Sequence, residues 1–312
     1  MEKNAKIFVA GHRGMVGSGI VRALKRQGYN TIVTRTHQEL DLCNREQVID
    51  FYRAEAPEYV ILAAAKVGGI EANRTCKAEF LLENLEIQNN VIYQAYKHGV
   101  KKLCFLGSSC IYPRECPQPI KEEYLLDGQL EPTNEGYALA KIAGYKLGYY
   151  LSQQYGFNVI SLMPCNMYGT NDNYDLKGSH VFPAFIRKFC ELVEQGGKEI
   201  TLWGSGTPRR EFLHVDDLAE AVVMMMNNWD SPEFVNIGSG TDISIRELAE
   251  KVAAATGFDG VINWDSSMPD GMMRKCMDVS RMKALGFSPR ISLDEGIERT
   301  IREYRNIMSG GS

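Results

Sequence analysis

No apolar run in the 312 residues approaches the length of a membrane span, for which roughly 20 consecutive apolar residues are needed. No membrane partner is therefore expected. The start, "MEKNAKIFVAG", passes almost directly into a strand-like run. It lacks the apolar stretch and cleavage site of a secretory leader, so a cytoplasmic location is expected. The eight cysteines contain no C-x-x-C pair. Neither a zinc site nor a disulfide framework is expected, and reduced thiols acting mostly as small core hydrophobes fit better. Basic charge is not in excess either: the formal net charge is −4. Bulk electrostatics thus offer nothing to nucleic acid, and any anionic ligand must be held by local positive charge. Internal repeats and low-complexity stretches are absent as well. With 44% hydrophobic and 24% charged residues, the composition is that of a globular protein with a sizeable core.

Short apolar runs alternate with longer helical patterns through the first half. "KIFVAG" precedes "MVGSGIVRALKRQG", "NTIVTR" precedes "REQVIDFYRAEA", and "YVILAAA" precedes "EFLLENLEIQNNVIYQAYKHG". "KKLCFLGSS", a helix around "EGYALAKIAGYKLGYYLSQQYG" and "NVISLMPCN" continue the series. Strands and helices in this alternation predict right-handed βαβ units on a mostly parallel sheet. The strands are almost wholly apolar, as required when helices cover both faces. After about residue 168 the rhythm changes to the polar "YGTNDNYDLKGSH". The expected fold class is α/β: a Rossmann-type doubly wound sheet with a smaller, interleaved α/β substrate domain. Residues 1–168 plus about 211–230 are assigned to the first, about 169–210 plus 231–308 to the second, and 309–312 to a disordered tail.

"AGHRGMVGSGI" sets Gly11, Gly14 and Gly17 between the first strand and the first helix. Glycines there permit a tight turn and close approach of a pyrophosphate, which the helix N-terminus then meets with unpaired N–H groups. The spacing is G-x-x-G-x-x-G, and its place in a βαβ array gives it weight. About twenty residues on, an NAD site would carry Asp or Glu for the ribose 2′-hydroxyl. This chain has Arg35 and His37 in that neighbourhood, and Arg13 inside the loop. Cations there suit a 2′-phosphate, so NADP(H) is the expected cofactor.

Two further stretches carry chemistry. "GSSCIYP" places hydroxyls and a thiol, Ser108 and Cys110, at the end of a buried strand. On an extended backbone residues two apart point the same way, which would aim both into one cavity. "GYALAK" places Tyr137 and Lys141 four apart on a helix, hence on one face. An ammonium near a phenol favours phenolate, making the tyrosine a proton donor for a developing alkoxide.

Taken together, the glycine loop, Ser108 and the Tyr137–Lys141 pair resemble the extended short-chain dehydrogenase/reductase superfamily. The stretches "AGHRGMVGS", "AAAKVGGI", "LGSSCIYP", "EPTNEGYALAKIAG", "SHVFPA" and "WGSGTPRREFLHVDD" resemble, more narrowly, the GDP-L-fucose synthase family. That resemblance runs from about residue 5 to residue 305. It implies an NADPH-dependent 3,5-epimerase/4-reductase acting on GDP-4-keto-6-deoxy-D-mannose, and a homodimer packed through the helices around 80–97 and 136–155.

The resemblance also implies roles. Ser108, Tyr137 and Lys141 map to the reductase triad, and Cys110 with His180 to the base and acid of epimerisation. In related dehydratases a glutamate stands where this chain has Cys110. Cofactor contacts map to Gly11, His12, Arg13, Gly14, Met15, Val16 and Gly17 in the loop, and to Arg35, His37, Asp41, Leu42 and Ala64 after the next strands. They continue at Leu106, Gly107, Ser108 and Ser109, at Tyr137 and Lys141, and at Pro164, Cys165, Asn166, Met167 and His180. Lys188, Trp203, Arg210 and Asp278 map to the GDP-sugar site, with Arg209 the more solvated of the arginine pair. Two positions depart from the family pattern: Cys165, where Thr is usual, and His37, where a second arginine is often found.

The chemistry is coherent on its own terms. A ketone at C4 acidifies the protons at C3 and C5, and hydrogen bonds from Ser108 and Tyr137 would stabilise the enolate on the same oxygen that reduction later protonates. Alternatives within the fold are a neighbouring nucleotide-sugar epimerase or dehydratase and a GDP-L-colitose-type enzyme. Of another class is a non-catalytic NADP-binding sensor, which could dispense with Tyr137 and Lys141.

Overall fold

The computed structural model describes every residue except Lys177, Pro269, Gly311, Ser312 and the side chain of Ile70. Two of these, Gly311 and Ser312, belong to the expected tail, which to that extent lies outside the described residues.

The apolar runs become the strands of a six-stranded parallel sheet. They are β1 (Ile7–Ala10), β2 (Ile32–Val33), β3 (Tyr59–Leu62), β4 (Lys102–Leu106), β5 (Val159–Pro164) and β9 (Phe234–Ile237), in the spatial order β2-β1-β3-β4-β5-β9. Register follows the hydrophobic pattern: Ile7 pairs with Tyr59, Tyr59 with Lys102, and Leu103 with Val159. Every residue of β1, β3, β4 and β5 is buried. The helices α1 (Met15–Arg26), α2 (Arg45–Glu55), α3 (Ile70–Thr75), α4 (Lys77–Lys97) and α5 (Glu135–Tyr155) follow their strands. The chain leaves β1 for β2 on one side and returns to β3 on the other, so the order reverses between β1 and β3. Ligands of open α/β sheets bind at such a reversal, beyond the carboxyl ends of the strands.

α4 and α5 pack closely enough to exclude side chains. A Cβ on Gly144 would lie 2.6 Å from Gln88 Oε1, and one on Gly136 2.6 Å from the Lys77 carbonyl. Gln88 Nε2 donates to the Ala140 carbonyl at 2.6 Å. This contact fixes the roll of α5 and so the face that carries Tyr137 and Lys141.

The second layer surrounds β8 (Arg209–His214), which pairs with β10 (Asp242–Ser244), β12 (Arg274–Lys275) and β6 (Asn166–Tyr168). A separate pair joins β7 (Glu199–Trp203) to β11 (Val261–Asp265). Helices α6 (Val181–Glu194), α8 (Ile245–Thr256) and α10 (Leu293–Met308) close a second core around Phe182, Ile186, Phe189, Leu248, Val252 and Ile297. The short α9 (Ser280–Ala284) leans on the sheet near β9, and α7 (Val215–Asn228) packs on α1. Arg22 and Arg26 of α1 reach Asp216 and Glu220 of α7 at 2.8 and 2.7 Å.

Two assignments differ from the expected division. Residues 211–214 were expected in the first domain but belong to β8, in the small sheet, while only α7 returns to the large one. "FVNI", expected in the second domain, is β9, the edge strand of the central sheet. The reason is geometric. β5 needed a neighbour, and Phe234, Val235 and Ile237 are apolar enough to be buried there. The second predicted strand, "NTIVTR", is reduced to Ile32–Val33, because only this pair has a partner on β1.

Candidate active site

The glycine loop lies at the strand-order reversal. Gly11 has φ +86°, and a Cβ there would sit 2.7 Å from the Ala64 backbone nitrogen after β3. A Cβ on Gly17 would lie 2.1 Å from the Gly11 carbonyl oxygen. Gly14 is the N-cap of α1, with no side chain capping the helix and no acid in its first turn. The N–H groups of that turn are thus left for an anion, as a pyrophosphate cradle requires. Met15 and Val16 begin the helix behind it.

Cations and acids surround the outer edge of this cradle. Arg13 is exposed, and among the described residues no hydrogen bond or ion pair engages it. Arg35 is already engaged: Nη2 pairs with Glu55 and Nη1 donates to the Thr34 carbonyl at 2.8 Å. His37 is exposed, 3.8 Å from Asp41. Asp41 Oδ1 accepts from Cys43 N at 2.9 Å, and Leu42 packs on the core. His12 is pushed down by burial and by Arg13. Glu39, whose Oε2 accepts from Thr36 N at 2.7 Å, sits in the field of both Arg35 and Arg13. Residues that suit a 2′-phosphate are therefore present, and of the two arginines Arg13 is the one without a partner among the described residues.

The far wall is built by the ends of β4 and β5 and by α5. Gly107 is required by its neighbour, since a Cβ there would lie 2.0 Å from Met163 Sδ. Ser108 is extended, but Ser109–Ile111 form a 3₁₀ turn. The expectation that two extended residues present Ser108 and Cys110 side by side is thereby corrected. The turn brings them together instead, with Cys110 N donating to Ser108 Oγ at 3.3 Å. Cys110 is buried, and burial pushes its thiol up, against the opposing pull of Lys275, the Ser108 hydroxyl and Lys141.

Lys141 Nζ donates to the Leu106 carbonyl at 2.9 Å and lies 5.6 Å from the centroid of the Tyr137 ring. Burial lowers Lys141 to about 8. The same burial, together with the Cys110 thiol, drives the Tyr137 phenol up. The expected lowering of Tyr137 by Lys141 is thus absent. Desolvation of the phenolate by the surrounding protein outweighs an ammonium that faces the ring and bonds elsewhere.

Beyond Pro164, Cys165 N donates to the Ile237 carbonyl at 2.9 Å, and burial holds its thiol well above the usual range. Asn166 Nδ2 donates to the Glu211 carbonyl at 2.9 Å, and Met167 pairs with Leu213. His180 is the N-cap of α6 without a side-chain cap bond. Its residue opens to the surface, yet the surrounding protein and Lys275 push its imidazole down.

The substrate-side residues separate into two groups. Lys188 Nζ lies 5.9 Å from the centroid of the exposed Trp203 ring, and burial lowers its ammonium. Arg210 donates to the Arg209 carbonyl at 2.8 Å; burial lowers it, with Asp270 and Glu131 opposing. Arg209 is bound to Asp242 at 2.6 Å and to Glu247. Asp278 does not join Arg210. Its carboxylate accepts from Ser280 N at 2.8 Å and faces Lys121 and Lys283. The acid beside Arg210 is Asp270, which also takes Ser205 N and Oγ at 2.7 Å each.

Sequence reasoning passed over three residues of this region. Glu211 is buried and its carboxylate accepts from Gly240 N at 2.6 Å and Met277 N at 2.8 Å, tying β8 to the turn after β9 and to the segment after β12. A lone acid in "REFLHV" was the signal for it. Asp270 and Lys275 gave none: Asp270 is placed by its bonds to Ser205 after β7, and Lys275 by the pairing of β12 with β8, neither of which a local pattern predicts.

Among the described residues no three His, Cys, Asp or Glu are grouped to hold a metal, and no helix is long and apolar enough to cross a membrane. Residues 7–238 match the NAD dependent epimerase/dehydratase family. GDP-L-fucose synthase 1 of Arabidopsis thaliana is 55% identical over 303 residues, covering 97% of this chain and 94% of its own. The chain belongs to the GDP-L-fucose synthase family. GDP-L-fucose synthase of Escherichia coli is 47% identical, over 96% of both chains. In solved structures, a GDP-L-fucose synthetase from Naegleria fowleri bound to NADP superposes with a TM-score of 0.91 at 26% identity, covering 100% of this chain and 98% of the other. The family's Rossmann-like fold is the one described above, and its glycine loop is the cradle after β1.

Proposed function

We infer that this chain is an NADPH-dependent epimerase and reductase that converts GDP-4-keto-6-deoxy-D-mannose to GDP-L-fucose. The observation that carries the reading is the meeting of a thiol with a Ser-Tyr-Lys set in one pocket. Cys110 is bonded to Ser108 and within electrostatic reach of Tyr137 and Lys141. A carboxylate at Cys110 would suit dehydration; a thiol suits reversible proton removal beside a ketone.

The residues divide the work as follows. The Cys110 thiolate takes the proton from the carbon next to the C4 ketone, and the C–H electron pair moves onto the carbonyl oxygen. Ser108 and Tyr137 donate hydrogen bonds to that oxygen and stabilise the enolate. His180, from the head of α6, returns a proton to the opposite face, which inverts the centre. The Cys110 thiol then loses its proton to solvent and the imidazole regains one, and a second round at the other flanking carbon completes the epimerisation. NADPH, when bound, supplies the hydride for reduction at C4. Tyr137 then gives its proton to the O4 alkoxide, and the Lys141 ammonium stabilises the phenolate left behind.

The glycine cradle, the open N-terminus of α1 and Arg13 support the cofactor assignment. Lys188 and Arg210 are the cations available to a pyrophosphate, which arginine holds by two parallel bonds. Asp278 keeps the substrate-side assignment that the resemblance implies, and Asp270, in the field of Arg210, is added to it. The family also implies a homodimer. Exposed Leu82 and Tyr93 on α4 and Leu139 and Tyr150 on α5 support an interface there. A cytoplasmic location accords with the free cysteines.

The test separates the two chemistries. Each variant is incubated with the keto-sugar in D₂O, with deuterium followed by NMR and NADPH by absorbance. Cys110→Ser should abolish exchange at C3 and C5. Tyr137→Phe should keep exchange and lose about 100-fold or more in NADPH oxidation. Wild-type exchange in Cys110→Ser would overturn the reading.

A further inference from the structure

His180 has to deliver a proton to one face of a ring, yet nothing holds its own ring. Among the described residues no hydrogen bond engages the imidazole, and as N-cap of α6 it makes no side-chain cap bond. Its aim is therefore set by its backbone. Downstream, the His180 carbonyl accepts from Ala184 N at 3.2 Å. Upstream, the chain arrives from β6 across a segment that is tied to the rest of the protein. Asn171 donates from N to Glu303 Oε1 at 2.7 Å and from Nδ2 to Ser18 Oγ at 2.9 Å. Arg187 Nη1 donates to the Tyr174 carbonyl at 3.0 Å. The tie nearest to His180 is the bond from Gly69 N to the Gly178 carbonyl, at 3.0 Å.

Gly69 can act as an abutment because its own loop, which follows β3, is fixed from behind. Lys66 N donates to Asn84 Oδ1, and Asn84 Nδ2 returns a bond to the Lys66 carbonyl, each at 3.0 Å. The same Nδ2 donates to the Phe80 carbonyl at 2.7 Å, so the start of the loop is tied to α4. At its end Asn73 of α3, itself buried, donates from Nδ2 to the carbonyls of Gly68 and Gly69 at 2.7 and 3.0 Å. Gly69 is buried, and its φ of −66° is one that any residue adopts. What calls for glycine is closeness. A Cβ at 69 would lie 3.1 and 3.2 Å from the carbonyl oxygens of Gly178 and Ser179. A side chain there would push the segment that leads into His180 away by a few tenths of an ångström.

We propose that Gly69 is a positioning residue for epimerisation, whose N–H and bare Cα set the backbone that aims the His180 imidazole. This rests on the role given to His180 above. Proton delivery needs donor and carbon within hydrogen-bond reach, so a small backbone shift is felt at the ring. Cys110 is carried by another element, the 3₁₀ turn after β4. A change at Gly69 therefore separates the two groups. With His180 displaced, the enolate still forms but is reprotonated from the face where it lost its proton. The enolate carbon takes the proton of the Cys110 S–H with its own electron pair, sulfur keeps the pair of the broken S–H bond, and the C4 carbonyl re-forms. In D₂O a thiol that has exchanged with solvent delivers deuterium with configuration retained.

The experiment incubates the keto-sugar with the full chain and NADP⁺ in D₂O and reads deuterium entry and inversion at C3 and C5 separately by NMR. Gly69→Ala should slow inversion roughly tenfold while deuterium still enters, so that exchange outruns inversion. Gly68→Ala is the control. The nearest atoms to a Cβ there are side-chain carbons of Phe80 and Ala72, at 3.0 and 3.2 Å, and inversion should stay as in wild type. NADPH affinity, read by fluorescence, should be unchanged in both variants and reports that they are folded. Should Gly69→Ala fail to fold, Asn73→Ala takes its place. Loss of the two bonds behind Gly69 should slow inversion by roughly several-fold with exchange again kept, and unchanged inversion would overturn the proposal. Equal losses of exchange and inversion in Gly69→Ala overturn it, as does no loss at all or the same effect in Gly68→Ala. So does a loss confined to KM for the GDP-sugar, which would make Gly69 a substrate contact. His180→Asn runs alongside: if it inverts like wild type, the assignment of His180 fails. If it exchanges without inverting while Gly69→Ala inverts normally, only the role of Gly69 fails.

Discussion

Arg13→Ala should erode the preference for NADPH over NADH more than Arg35→Ala. The two arginines flank the same edge of the cradle but start from different states. Arg13 is exposed and unengaged among the described residues, so no bond seen there is broken when it turns to a 2′-phosphate. Arg35 is shared with Glu55 and the Thr34 carbonyl, and Glu55 also holds Lys6 at 3.4 Å. A hydrogen bond to a charged group contributes about 1.5–3 kcal/mol. The Arg35–Glu55 pair is part-buried; a pair open to solvent is worth about 0–1 kcal/mol, and at least this must be subtracted if Arg35 turns away. Loss of Arg13 should thus reduce the NADPH/NADH ratio of kcat/KM by roughly 10- to 100-fold, at about 1.4 kcal/mol per tenfold. Loss of Arg35 should reduce it by several-fold to about tenfold on the same arithmetic. The assay is steady-state reduction of the keto-sugar with each cofactor, at fixed ionic strength because exposed charges are screened. A ratio unchanged in Arg13→Ala would refute the reasoning. So would a larger loss in Arg35→Ala, which would show that Glu55 releases Arg35 on binding.

Other consequences follow from the same geometry. Gly17→Ala should weaken NADPH binding by about 100-fold, because a Cβ 2.1 Å from the Gly11 carbonyl must displace the cradle by about an ångström; fluorescence titration reads it, and unchanged affinity would place the cofactor elsewhere. Arg210→Ala should raise KM for the GDP-sugar at least tenfold with NADPH affinity intact. Arg209→Ala, which breaks the pair with Asp242, should lower Tm and leave KM unchanged. The reduction rate should fall as pH rises through about 8, where Lys141 loses the proton that supports the Tyr137 phenolate. Lys141→Arg should shift that limb upward if the variant reduces at all, and a limb in the same place would assign it to another group.

Local sequence determined a good deal here. Alternating apolar and helical runs define the βαβ series, because a strand buried on both faces admits little but apolar residues. Gly11 and Gly17 stand where added side chains would strike backbone, and Tyr137 and Lys141 share a face through helical spacing alone. These features are legible because their causes lie within a few residues. What tertiary structure decided involves partners distant in the chain. β9 completes the central sheet and β8 the small one, since each strand needed a neighbour that only the fold supplies. Arg35 is engaged by Glu55, 20 residues away. Tyr137 is raised rather than lowered, because desolvation is a sum over many surrounding atoms. Lys275 is set opposite Arg210 by a strand of two residues whose pairing with β8 has no trace in its own composition. Burial and charge fields depend on distance in space, and a sequence records only distance along the chain.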